Sequence, residues 1–510
     1  MRLRTLIGSA GDLVAGGFFL FLCASASAAT CESLASLTLP DATITSAQTV
    51  GAGLFAPPAG GRGDNSAYKT LPEFCRITAT MKPSSDSDIK LEVWLPTSIW
   101  NKKYQAVGNG AWAGSIVYGD MAKALHEGYA TSSTDTGHTG GNGAFALGHP
   151  EKLVDFAWRS EHEMTLKSKS LIAAFYGNAP QKSYWVSCSS GGKQGLKEAQ
   201  RFPADYDGIV AGAPVVNWTH RATAAMWAGT AALKDPVNNI PPAKFDIIHK
   251  AAIEACDSLD GVKDGIISEP ARCKFDPKVL QCQDADGPAC LTAGQVEAVR
   301  KIYTPATNPR TGEILSARYE PGSELGWRAI AGGPAPFGAA VDHFKFVVFK
   351  NPDWDWHTLN FDSDIALADK IDDGTINAID PDLKAFTGHG GRLIMYQGYT
   401  DTNIPPGNAI TYFNSVEKTV GAAKTAEAIR LYMAPGMNHC GGGEGPNSFD
   451  MVSSLEQWVE NKKAPEQIIA THSVDGKVDR SRPLCPYPQV AKYKGTGSID
   501  EAASFSCKLP

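Results

Sequence analysis

The chain has 510 residues, too many for one simple core, so two domains or one domain with a large insertion is the starting expectation. Its composition, 43% hydrophobic, 20% charged and 9% aromatic, is that of an ordinary soluble globular protein. A net charge of −7 with no long basic run argues against nucleic acid and anionic membrane surfaces as partners.

Residues 1–28 read as an export signal. Arg2 and Arg4 give the positive start, Leu13 to Cys23 the apolar centre, and Ala26-Ser27-Ala28 an A-x-A cleavage site. The apolar run is too short to span a bilayer, and Leu22 before Cys23 speaks against a lipid-anchored mature end. A secreted or periplasmic protein with no membrane anchor is expected. Beyond the signal lie Cys31, Cys75, Cys188, Cys256, Cys273, Cys282, Cys290, Cys440, Cys485 and Cys507. An even count in an exported chain reads as disulfides, and with no C-x₂-C pair zinc is a poor alternative.

Residues 29–215 read as the first part of a catalytic domain. Leu91 to Leu95 and Lys103 to Val107 are strands, the second ending in Gly108-Asn109-Gly110-Ala111-Trp112-Ala113-Gly114. That run matches the G-x-G-x-x-A dinucleotide fingerprint, but Gly114 comes too early in a would-be helix that lacks helix formers. Gly51-Ala52-Gly53 fails because Pro57-Pro58 breaks any helix after it. A glycine loop after an early strand suits an oxyanion-hole partner better. Tyr129 to Ser133 is the next strand, delivering Thr134 to His138 to a loop; Leu153 to Tyr176 is helical.

Lys182 to Ser187 is a short β-branched and aromatic strand, and Gly192 to Arg201 a helix stopped by Pro203. Between them sits Ser187-Cys188-Ser189-Ser190-Gly191, a nucleophile elbow with serine where the first glycine of G-x-S-x-G is usual. On such a turn the Ser189 hydroxyl stands clear of the sheet, and N–H groups at the helix start face a developing oxyanion. Gly208 to Gly212 is another buried strand. Strands alternating with helices predict a doubly wound, mostly parallel sheet.

Residues 216–388 are loop-rich, with four cysteines, Trp218, Trp227, Trp327, Trp354 and Trp356, and read as an inserted lid. Within them, Asp257, Asp260 and Asp264 crowd two Asp-Gly turns. Composition alone suits a solvated acidic turn; an all-oxygen Ca²⁺ loop is the alternative. Residues 389–510 resume the alternation: strand Arg392 to Gly398, helix Gly407 to Val420, strand Ala428 to Met433. Asp401 follows the first of these strands and His439 the second, the Ser-Asp-His order of a doubly wound hydrolase. His138 with Asp135 is the rival pair, but both precede the serine. Cys188 abuts the nucleophile and Cys440 abuts the histidine, so a bridge between them would tie the two catalytic loops together.

Cys188-Ser189, Asp401 and His439-Cys440 resemble the CS-D-HC pattern of the tannase/feruloyl esterase family, which includes mono(2-hydroxyethyl) terephthalate hydrolase. Ser133 to His138, Gly108-Asn109-Gly110 and Ile404-Pro405-Pro406 resemble its recurring segments. The resemblance implies an α/β-hydrolase fold with an inserted lid and a serine esterase acting on small aromatic esters. Feruloyl-type hydroxycinnamates are the first expectation, with gallate esters and mono(2-hydroxyethyl) terephthalate as alternatives. It implies an oxyanion hole from the N–H groups of Ser190 and a glycine of the loop, Gly110. It also implies a structural Ca²⁺ held by Asp257, Asp260 and Asp264 with the Val262 and Ile266 carbonyls. Ten cysteines allow many pairings. Nearness along the chain supports Cys256–Cys273 and Cys282–Cys290, while Cys485–Cys507 and Cys31–Cys75 would pin the two ends. The resemblance points to these four and Cys188–Cys440. The rival from another class is a non-catalytic, calcium-stabilised binding protein on the same fold.

Overall fold

A computed structural model describes residues 29–58 and 65–510; the expected export signal lies outside the described residues. Nine strands form one sheet. They are β1 (Ala42–Val50), β2 (Phe74–Met81), β3 (Ile89–Pro96), β4 (Lys103–Ala106), β5 (Ala130–Thr134), β6 (Lys182–Cys188), β7 (Gly208–Gly212), and then Arg392–Gly398 and Ile429–Ala434. The order across the sheet is β1-β2-β3-β5-β4-β6-β7, then Arg392–Gly398, then Ile429–Ala434 at the edge. The first three strands and the β3–β5 pair are antiparallel, and every neighbour from β5 onward is parallel. This is the expected α/β-hydrolase arrangement, a mostly parallel sheet with helices on both faces.

The alternation of side chains along the strands divides the core into two layers. On one face Trp185, Ile209, Ala211, Leu393 and Met395 pack with Leu196 and Ala199 of the helix Ser190–Arg201. On the other, Tyr184, Val210, Ile394 and Tyr432 pack with Leu455 and Trp458 of the helix Met451–Asn461. Strands covered on both faces lose the polar alternation, which is why β7 reads Gly-Ile-Val-Ala-Gly. Gly212 is required by a close approach: a Cβ there would lie 2.2 Å from the Tyr396 ring.

Between the neighbouring strands β7 and Arg392–Gly398 the chain makes a long excursion. The sequence reads it as loop-rich, whereas the structure builds much of it from helices, among them Trp218–Leu233, Phe245–Cys256, Ala293–Ile302 and Ser363–Asp372. Their cores are separate from the sheet's. Ala224, Ala228, Ile248, Val299 and Trp327 form one, and Met226, Phe344 and Ile365 belong to another. Trp218–Leu233 is packed on nearly every side, so it carries no amphipathic stripe to betray it. The Leu153 to Tyr176 stretch is helical as expected, but a wide π-type turn at Asp155–Arg159 interrupts it. After the sheet, two antiparallel hairpins finish the chain, Ile468–Val474 with Lys477–Leu484 and Val490–Tyr493 with Phe505–Lys508.

Five disulfides are formed: Cys31–Cys75, Cys188–Cys440, Cys256–Cys273, Cys282–Cys290 and Cys485–Cys507. They are the five pairs the resemblance implies.

Candidate active site

Ser189 caps the helix Ser190–Arg201 at φ +65°, a strained backbone for a non-glycine residue and the signature of the elbow. Its N–H donates to the Gly212 carbonyl (2.9 Å), which fixes the turn against β7. Ser187, in the usual glycine position, is accommodated by Gly191: a Cβ on Gly191 would lie 1.9 Å from Ser187 Oγ.

The Ser189 hydroxyl donates to His439 Nε2 at 2.8 Å, and His439 Nδ1 donates to Asp401 Oδ2 at 2.8 Å. A carboxylate only accepts, so the Asp401 contact puts the ring proton on Nδ1 and leaves the Nε2 lone pair facing the serine. Asp401 is fully buried. Its Oδ1 accepts from the Asn403 and Ile404 N–H groups (2.8 and 3.0 Å), and its Oδ2 accepts also from Gln397 Nε2 (2.8 Å). Four donors converge on it and fix the carboxylate in place. The Cys188–Cys440 bridge, Cα–Cα 6.0 Å, joins the residue before the serine to the residue after the histidine.

The glycine loop lies directly on the elbow helix. A Cβ on Gly108 would meet Gln194 Oε1 at 2.4 Å and the Gly191 Cα at 2.8 Å. Gln194 Oε1 accepts from the Asn109 N–H (2.9 Å), and Ser190 Oγ donates to the Ala111 carbonyl (2.9 Å). Ala111, held at φ +44°, is the loop residue that lines the cavity beside Ser189 and Ser190; Gly110, the expected oxyanion donor, is one residue back. That cavity, about 40 Å³, is walled by Trp218, Phe337 and Ile404 and also by Arg221. A hollow of about 800 Å³ lined by Cys188 and Cys440 touches neither Ser189 nor His439, so the Ser189–His439 pair opens on the smaller space alone.

The rival pair is built into the scaffold. His138 Nε2 donates to the Trp112 carbonyl (2.8 Å), its ring stacks on Phe145 at 3.7 Å, and burial lowers its pKa. Asp135 accepts from the N–H groups of Lys90 and Gly137, and burial pushes its carboxyl up to about 6. Nothing in sequence marks Gln194, Gln397 or Asn403 as supports of the site. Arg221 does leave a trace: it is the one arginine in a helix otherwise rich in alanine.

In the acidic loop, Asp257 accepts from the Asp264 and Gly265 N–H groups (3.1 and 2.9 Å), and Asp260 accepts from the Val262 N–H (2.9 Å). Asp264 pairs with Arg482. Burial raises the Asp264 carboxyl; Arg482 and Arg480 pull it down, and Asp260 and Asp257 push it up again. The three carboxylates, of which Asp257 is buried, are the hard oxygen donors a divalent cation such as Ca²⁺ takes, although they do not converge on one point. Among the described residues the groups whose ligand atoms lie close enough together to share an ion are Cys282–Asp286–Cys290, whose sulfurs are spent in a disulfide, and His162–Glu198–Asp205; the acidic loop is not among them. Among the described residues no helix is long and apolar enough to cross a membrane.

The family described as tannase and feruloyl esterase matches residues 75–508. An uncharacterized esterase of Xanthomonas campestris pv. campestris is 37% identical, over 96% of this chain and 92% of that one. A "probable feruloyl esterase B-1" of Neosartorya fischeri is 33% identical, over 89% of both. The crystal structure of feruloyl esterase B from Aspergillus oryzae superposes with a TM-score of 0.89 at 31% identity, covering 94% of this chain and 99% of that one.

Proposed function

The chain belongs to the tannase and feruloyl esterase family and is a carboxylic ester hydrolase, and from that premise we propose that it cleaves feruloyl-type aromatic esters through an acyl-enzyme on Ser189. The observation that carries the reading is the unbroken chain from Ser189 Oγ through His439 to a buried Asp401, opening on a cavity walled by Trp218 and Phe337. The names of the relatives support the choice of acyl group.

Ser189 Oγ attacks the ester carbonyl as its proton passes to His439 Nε2. Asp401 stabilises the imidazolium without taking the proton. The oxyanion is met by the Ser190 N–H and an N–H of the Gly110–Ala111 loop, and one such donor is worth about 10²–10³ in kcat. The tetrahedral adduct collapses, His439 returns the proton to the departing alcohol, and water repeats the sequence on the acyl-enzyme.

Residues 29–215 and 389–510 make the catalytic domain in this reading, and 216–388 the lid over the cleft. Asp257, Asp260 and Asp264, with the Val262 and Ile266 carbonyls, would hold a structural Ca²⁺ whose charge offsets their repulsion. The signal-like residues 1–28 and the paired cysteines support export to an oxidising compartment. The test is labelling with a fluorophosphonate followed by peptide mapping, together with kcat/KM on methyl ferulate and methyl gallate. Ser189 is the expected adduct, methyl ferulate the better ester, and Ser189→Ala loses at least about 10³-fold in kcat. An unlabelled Ser189 in folded protein overturns the mechanism, and methyl gallate as the better ester overturns the acyl preference.

A further inference from the structure

Arg221 lies three residues beyond Trp218 on the helix Trp218–Leu233, and both line the cavity that holds Ser189 and His439. It is only 7% exposed. Its Nε donates to the Asn403 carbonyl (2.8 Å), and its guanidinium carbon stands 4.4 Å from the centre of the Phe337 ring. Among the described residues Arg221 forms no ion pair, and neither Nη finds a protein acceptor.

Several other arginines drawn into this fold are paired with carboxylates, whereas Arg430, like Arg221, has only backbone carbonyls and an aromatic ring. Arg76 grips Glu92 through two nitrogens (2.5 and 3.1 Å), Arg159 holds Asp155 and Glu151, and Arg482 pairs with Asp264. A guanidinium keeps its proton whatever its surroundings, so a buried one that no carboxylate neutralises is costly even with a carbonyl and a ring beside it. Asp401 does not discharge it. That carboxylate feels the charge of Arg221 but already has four donors of its own.

We propose that Arg221 forms a carboxylate-binding subsite beside the nucleophile, so that the preferred esters carry an acidic group as well as the scissile bond. The inference rests on the esterase reading above and narrows its substrate class. A carboxylate matches the planar fork of the guanidinium and supplies the missing charge; a phenolic hydroxyl or methoxy group supplies neither. The acidic group can belong to the acyl half or to the alcohol half of the ester.

Three esters separate these cases: methyl ferulate, which is neutral, feruloylquinate, acidic in its alcohol, and monomethyl terephthalate, acidic in its acyl part. Going from wild type to Arg221→Met, kcat/KM on one acidic ester should fall roughly ten- to hundredfold further than on methyl ferulate, mainly through KM. The ester that shows this excess identifies the half that carries the acid. Equal losses on all three mean that Arg221 only supports the charge of Asp401, and no excess loss on either acidic ester likewise overturns the subsite. A binding measurement on wild-type protein is independent of both folding of the variant and turnover. By calorimetry benzoate should bind at least about tenfold more tightly than benzamide, and equal or undetectable binding of the two overturns the subsite. Failure to hydrolyse any of the esters while benzoate is still preferred would count against the esterase reading and not against Arg221.

Discussion

Ser187 and Gly191 show how a single residue departs from a motif without breaking it. The sequence presents Ser187 as a blemish on the elbow; in space its hydroxyl occupies the volume that a side chain at 191 would need. Gly191→Ala should therefore destabilise the fold by about 1–3 kcal/mol through overpacking, and adding Ser187→Gly should recover most of that loss. Denaturant midpoints of both single variants and the double variant measure the coupling, and simple additivity would refute the contact. At this scale the meeting of Ser189, His439 and Asp401 was legible because chain order and strand ends constrain it: Asp401 and His439 each follow a late strand. Gln397 and Asn403 were hidden, and Arg221 stood out only by its setting, because their roles depend on which distant groups they meet. Arg221 meets the Asn403 carbonyl 182 positions away, a pairing no local pattern encodes.

Among the elements, the Cys188–Cys440 bridge and the acidic loop make separable predictions. A bridge across 252 positions restricts the unfolded chain far more than one across 8. In the chain-entropy model the two are worth about 5.5 and about 2.5 kcal/mol. Cys188→Ala with Cys440→Ala should lose that stability and most of kcat, since Ser189 and His439 are then held by their own loops alone. Cys282→Ala with Cys290→Ala should leave kcat within about twofold. Chelation should lower the Tm in a manner that depends on free Ca²⁺, and Asp260→Ala should abolish that dependence. A melting curve indifferent to chelator would leave the loop an acidic turn cross-linked by Arg482. Seven of the nine sheet strands were legible to within two residues, because buried apolar runs punctuated by glycine have few other readings; β1 and β2, half exposed or rich in threonine, were not placed. The helices of 216–388 were not, because a helix buried on nearly every face, such as Trp218–Leu233, has no periodic stripe.

For the molecule as a whole, His249 links its two masses. It lies on Phe245–Cys256, within the long excursion, and bonds Glu324 through Nδ1 and Glu444 through Nε2, both at 2.9 Å. Glu444 belongs to the loop that follows His439. Burial alone would lower the imidazole pKa, but the two carboxylates outweigh it and raise it to about 9. A histidine whose folded pKa is raised contributes stability that is complete below its unfolded pKa of about 6.5 and is lost as pH climbs through about 9. Wild type should thus exceed His249→Gln in stability most at about pH 6, with the gap closing by about pH 10. Denaturation at both values checks it, and a gap that widens with pH would refute the assignment. At this scale the position of the excursion was legible, since strand-helix alternation stops after β7 and resumes at Arg392. The ion pairs that fasten it were not, since no local pattern places His249 beside Glu444.

The 252-position span of the Cys188–Cys440 bridge also bears on how the enzyme matures. A chain that meets its oxidant N-terminus first offers Cys188 to Cys256, Cys273, Cys282 and Cys290 long before Cys440 arrives. Its correct partner is the last of the candidates but two along the sequence. Thiol–disulfide exchange must therefore either wait or correct itself, and the nucleophile is locked beside its base only near the end of synthesis. On the proposed export and Ser189 mechanism, hydrolytic activity should therefore report completed oxidative folding, a chain without the Cys188–Cys440 bridge being expected to stay largely inert.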